Sequence, residues 1–144
     1  MSSLFFVVYL SAIEQITDRD LPRSGLGKYD AVFRTYGNDE LNESLKSSIP
    51  NEFKESGSSI GQGLNKIRAT ILHPSGDKNT KQMESIDKAG DHWLRKINDH
   101  LSYFIILATL DSIGFSEEDR RAVANSWDWF IPEYETLRPR GYGF

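Results

Sequence analysis

The sequence predicts an all-α protein, a single-domain bundle of about five helices spanning residues 1–144. Three observations carry this. From Met83 to about Ile113, the residues Met83, Ile86, Gly90, Trp93, Ile97, Leu101, Phe104 and Ala108 recur at intervals of three and four, the period of one helix face. Ser116 followed by Glu117, Glu118 and Asp119 is a helix opening, a capping hydroxyl with acids in the positive first turn. Alternation of the kind a strand needs appears only in Lys66 to His73, which leaves any other strand without a partner.

Taken in order, Leu4 to Ile16 reads as a helix, apolar nearly all round and therefore central in the bundle. The run LFFVVYL (Leu4 to Leu10) also fits a strand, with Ser11 to Glu14 as a capping box for a shorter helix; helix is the preferred reading. Arg19 to Lys28, with Pro22, Gly25 and Gly27, is a connection. Val32, Phe33, Tyr36 and Leu41 place a helix over Tyr29 to about Lys46, which Gly37, Asn38 and Asp39 break into two pieces. Pro50 marks a junction, because the residue before proline is pushed out of helical geometry. Glu52 to Leu72 then reads as helix, with Phe53, Ile60, Leu64, Ile67 and Ile71 on one side. His73 to Gln82 is a loop, and Thr80 caps the long helix that follows to Gly114. The last helix carries a buried stripe of Val123, Trp127, Phe130 and Ile131, and Pro132 ends it. The remaining residues, 132–144, form an irregular tail.

Composition narrows the function classes. The chain has 144 residues, 38% hydrophobic and 26% charged, enough for one core and too apolar for disorder. Lys plus Arg number 17 against 21 Asp plus Glu, a net charge of −4 with no basic stripe, which argues against nucleic acid as the main partner. The absence of cysteine rules out disulfides, zinc–thiolate sites and thiol nucleophiles, and fits a reducing compartment. Leu4 to Leu10 lacks a basic flank and a cleavage site and is too short to span a bilayer, so a cytoplasmic protein is expected.

Three stretches could carry chemistry. Glu84, Asp87 and Asp91 share a helix face, but Lys88 and Arg95 follow Glu84 and Asp91 by four residues, the spacing of a solvated ion-pair ladder. "SGSSIGQGL" has three glycines but neither the Gly-Lys-Ser/Thr of a phosphate loop nor a strand before it. Within a helix, Gly57, Gly61 and Gly63 each cost about 1 kcal/mol relative to alanine, which the close approach of another helix or of a flat cofactor would justify. In "GDHWLRKINDHL", His92 points away from the apolar stripe and His100 falls near its edge. The spacing of Arg95 and His100 is similar to the arginine–histidine pair of HEPN ribonucleases, which are α-helical bundles of this size.

From Met83 onward the chain also resembles the C-terminal half of a globin. "SIDKAGDHW" resembles the helix carrying the proximal histidine, and "HLSYFIILATLDSIG" and "FSEEDRRAVANSWDWF" resemble the two helices after it. "GKYDAVF" and "EFKESGSSIGQGL" are similar to the distal helices. The resemblance implies a haem held by His92, with Tyr29, Ser56 and Ile60 on the ligand side. The pattern departs from the family at Leu45, where a phenylalanine is usual, and at Lys88, where the family is apolar.

The leading expectation is a small, acidic, non-catalytic protein that binds a macromolecular partner, as an inhibitor, immunity-type protein or complex subunit, with self-association a further option. No cofactor is expected except under the haem reading. Trp129 lies about 200° round the helix from Trp127, on the solvent face. Together with Arg138, Arg140 and Tyr142 of the tail it makes the candidate docking surface, since tryptophan, tyrosine and arginine carry most interface energy.

Overall fold

The computed structural model describes residues 2–21, 25–73 and 92–131. Among them the chain forms seven α-helices and no strand, so the all-α expectation holds. The first, α1, is Ser2–Asp20, which settles the choice between strand and helix at Leu4 to Leu10. Ser2, Phe6, Leu10, Ile13 and Thr17 are its buried residues, spaced four, four, three and four apart.

Centrality belongs to a different helix from the one expected. Leu4, Phe5 and Val8 of α1 are exposed, so α1 lies on the outside with one face buried. The central element is α5, His92–Ser112, which packs against α1, α2 (Asp30–Tyr36), α3 (Asp39–Ser48), α6 (Glu117–Asn125) and α7 (Trp127–Phe130). Of its expected stripe, Ile97, Leu101, Phe104 and Ala108 are buried and Trp93 is half-buried, while Leu94, Asn98, His100, Tyr103 and Leu107 are buried as well. The reason is that neighbours cover it on several sides, so polar residues off the apolar stripe are enclosed as well. Asn98 is one of them, and its amide donates to the Ser2 carbonyl at 3.0 Å.

The expected break after Tyr36 is present, separating α2 (Asp30–Tyr36) from α3 (Asp39–Ser48). Asn38 caps α3, its side chain accepting from the Leu41 N–H at 2.8 Å. Gly37 has no room for a side chain: an added Cβ would lie 2.7 Å from the Phe33 carbonyl oxygen and 2.8 Å from the Phe104 ring.

After α3 the expected helix from Glu52 begins eight residues late. Pro50 opens a single 3₁₀ turn, Asn51–Phe53, and Gly57 takes a positive φ of 77°, so the chain turns before α4 (Ile60–Leu72) starts. Ser59 and Gln62 form a reciprocal capping box at that start. Gly57 therefore serves a turn and not a helix.

Gly114, at φ 99°, ends α5, and Ser116 caps α6 (Glu117–Asn125) by accepting from the Asp119 N–H at 3.1 Å. The chain then bends at Ser126 and closes on the four-residue α7, Trp127–Phe130. One apolar cluster joins the helices, from Phe6 of α1 to Ile131. The loop expected at His73 to Gln82, the start of the long helix and the tail from 132 fall, apart from His73, outside the described residues. No described helix is long and apolar enough to cross a membrane.

Candidate functional site

The bend at Ser126 decides what the C-terminal aromatics do. Had α6 continued to Ile131, Val123, Trp127 and Phe130 would share one buried stripe. Because the helix restarts, the phase shifts: Ile131 is buried, Val123 and Trp127 are half-buried against the core, and Phe130 turns outward, 62% exposed. The expectation of a buried Phe130 is thereby corrected. One face of its ring still stacks on Tyr103, with centroids 5.4 Å apart. Trp127 lies over His100 at 6.3 Å. Trp129 is 87% exposed, on the solvent face as expected. Two inward aromatic contacts thus hold a short helix that presents Trp129 and Phe130 to solvent. Arg138, Arg140 and Tyr142 lie outside the described residues.

His100 is not at the edge of a stripe but fully buried. Its Nδ1 lies 2.7 Å from the Lys96 carbonyl oxygen, which can only accept, so Nδ1 carries the hydrogen. Nε2 is then left to accept from the Ser44 hydroxyl, also at 2.7 Å. Burial pushes the imidazole pKa down to about 4, with the Lys96 carbonyl hydrogen bond opposing the shift. The pair has the connectivity of an activated serine, but not the setting. Ser44 sits inside α3, where neighbouring N–H groups belong to the helical ladder and no oxyanion donors are free. A histidine of pKa about 4 is a weak base at neutral pH. The pair ties α3 to α5. Arg95 is exposed while His100 is enclosed, so the residues proposed as a ribonuclease pair occupy different faces of α5.

The residues that a haem reading needs are also dispersed in their exposure. His92, the first residue of α5, is exposed; Ser56 is exposed in the turn before α4; Ile60 is half-buried. Tyr29 is 2% exposed, and its buried hydroxyl has no hydrogen-bond partner among the described residues. The close approach that explains the glycines comes from the chain itself. Asp30 accepts from the Gly61 N–H at 2.8 Å and from the Ser59 hydroxyl at 2.7 Å, placing its carboxylate on the positive end of α4. A Cβ on Gly61 would lie 2.6 Å from that carboxylate, and one on Gly63 would touch Ile49 and the Phe53 carbonyl. The first turn of α4 is therefore already occupied by an internal anion.

A further group, which sequence reading missed, lies between α2, the end of α5 and α6. The Tyr36 hydroxyl donates to Asp111 at 2.7 Å, and Arg120 reaches the other Asp111 oxygen at 3.5 Å. The Arg120 guanidinium also lies over the Tyr36 ring, 5.7 Å from its centroid. Burial and the Asp111 hydrogen bond push the Tyr36 pKa up to about 12, so its proton stays in place at neutral pH. Asn38 closes the group on one side by donating to the Ala124 carbonyl at 3.2 Å and the Asn125 side chain at 3.0 Å. Tyr36 and Asp111 stand 75 positions apart in sequence, and no local pattern links them. Among the described residues, no group of three or more histidine, cysteine, aspartate or glutamate side chains gathers as a metal site.

Compared with known proteins, the chain matches no family model, no curated protein and no solved structure.

Proposed function

We propose that this protein acts by binding a protein partner, as an inhibitor, immunity-type protein or complex subunit, with Trp129 as the anchor. The observation that carries the reading is the 87% exposure of Trp129 beside the half-open ring of Phe130 on a helix anchored from beneath. An exposed tryptophan forgoes hydrophobic stabilisation in the free protein, and covering it on association recovers that energy. A helix held by Trp127 and by the Phe130–Tyr103 stack offers the anchor with little ordering cost. Arg138, Arg140 and Tyr142 follow closely in sequence and are the further partner-binding residues under this reading.

The test compares Trp129→Ala with the wild type in both stability and affinity for the native partner. Removal of a side chain this exposed should move the melting temperature by no more than about 1–2 °C. The same change should weaken the partner complex by at least tenfold, as loss of an interface anchor does. Lost stability with unchanged affinity overturns the reading.

The haem reading has one supporting observation, the buried Tyr29 hydroxyl, which has no partner among the described residues. It requires a Soret band in protein from haem-replete cells, abolished or shifted by His92→Ala. A colourless protein that refuses added haemin ends it.

A further inference from the structure

The cleft between α2 and α6 is lined by three arginines, Arg34, Arg120 and Arg121, against two carboxylates, Asp111 and Glu117. Its lining therefore carries one surplus positive charge on a chain whose net charge is −4, with the Asp20 carboxylate outside the lining but near enough to act on Tyr36. Arg121 is spent on Glu117 at 2.6 Å, and Arg120 makes a long pair with Asp111 at 3.5 Å. Arg34, in the last turn of α2, is exposed and forms no ion pair among the described residues. The buried Arg120 Nε–H has no acceptor among the described residues, so within them the guanidinium is only partly satisfied by Asp111. Its position is nonetheless fixed, by the Tyr36 ring beneath it and by Asp111, itself held by the Tyr36 hydroxyl.

We propose that this cleft binds a small organic acid through a single carboxylate group. Charge selects the class. One carboxylate cancels the surplus on Arg34 and gains charge-assisted hydrogen bonds from guanidinium groups whose planar donors match its two oxygens. A dianion such as phosphate would bring a second negative charge against Asp111 and Glu117 and is disfavoured by them. Size selects an organic body. The cleft holds about 480 Å³, within the range of small-molecule sites and far beyond the requirement of a bare ion. Preorganisation comes from the Tyr36–Asp111–Arg120 group on one wall and the Asn38 bridge to Ala124 and Asn125 on the other. Neither Trp129 nor Phe130 lines the cleft, and the proposal does not depend on them.

The experiment is a titration of the isotope-labelled full chain with propionate, followed by backbone amide shifts, with sodium chloride at matched ionic strength as the control. Propionate should give saturable shifts confined to residues 34–38 and 120–125. Arg34→Gln, an exposed change that leaves the fold intact, should weaken binding about tenfold, the loss of one charged hydrogen-bonding partner. Glu117→Gln should tighten it, by freeing Arg121 and removing a competing carboxylate. The proposal is overturned if propionate shifts do not saturate or match those of chloride, if Arg34→Gln leaves them unchanged, or if phosphate binds more tightly than propionate.

Discussion

His100 shows how one enclosed side chain links stability to pH. Its ordinary pKa of 6.5 falls to about 4 in the folded protein because burial penalises the imidazolium. Above pH 6.5 the ring is neutral in both states and contributes no pH dependence. Between pH 6.5 and 4 the unfolded chain takes up the proton and the folded protein does not, so stability falls as pH falls through that window. The full effect is about 3 kcal/mol, from a shift of roughly two and a half pH units at 1.36 kcal/mol each. Denaturant unfolding of wild type and His100→Gln at pH 7 and pH 4.5 checks this. The difference between the two proteins should narrow or reverse at the lower pH, because glutamine has no proton to take up. A constant difference would show that His100 titrates normally. Sequence placed this residue at the edge of a stripe, since its Ser44 partner lies 56 positions away and leaves no local mark.

At the scale of elements, the start of α4 depends on a contact from α2. Ser59 and Gln62 form a local cap, which the expected helix from Glu52 ran through, and Asp30 supplies the anion at the helix end from 31 residues before Gly61. Gly61→Ala should therefore cost stability, although alanine is the better helix former by about 1 kcal/mol. The added Cβ would stand 2.6 Å from the Asp30 carboxylate and force it off the Gly61 N–H. A net loss of about 1–3 kcal/mol is expected, the range of overpacking and of a broken charged hydrogen bond. Asp30→Ala in the same background should recover part of the loss, since no carboxylate then remains to clash. Urea midpoints of the two single variants and the double variant measure that coupling; simple additivity would refute the contact.

Across the whole molecule, burial is distributed by the position of α5 and not by apolarity alone. Leu101 of α5 is fully buried and Ile106, about one and a half turns on, is 47% exposed, although both are aliphatic residues of the same helix. Leu101→Ala should destabilise by about 2–5 kcal/mol through transfer and cavity terms. Ile106→Ala should change stability by no more than about 0.5 kcal/mol, as surface substitutions do. Thermal unfolding of both variants checks the contrast, and equal losses would mean that the outer face of α5 is covered. The same distribution explains α1, whose apolar first turns suggested a central helix. Exposed Leu4, Phe5 and Val8 show that hydrophobic residues all round a helix do not require neighbours all round it.

By itself the sequence determined the helical class, the break at Gly37 and Asn38, the cap at Ser116 and the stop at Gly114. Each rests on interactions within a few residues: a hydroxyl bonding an N–H three positions on, a backbone angle, or an apolar period. It also placed Trp129 on the outside, because 200° of helical rotation from a packed Trp127 is a local quantity. Tertiary structure alone decided which helix lies at the centre, where Phe130 faces after the bend at Ser126, and that His100 is enclosed against Ser44. It also assembled Tyr36, Asp111 and Arg120 into one wall of a cleft. These outcomes depend on contacts between residues tens of positions apart, and the free energy of such contacts is set by which surfaces meet, a property that no short window of sequence contains.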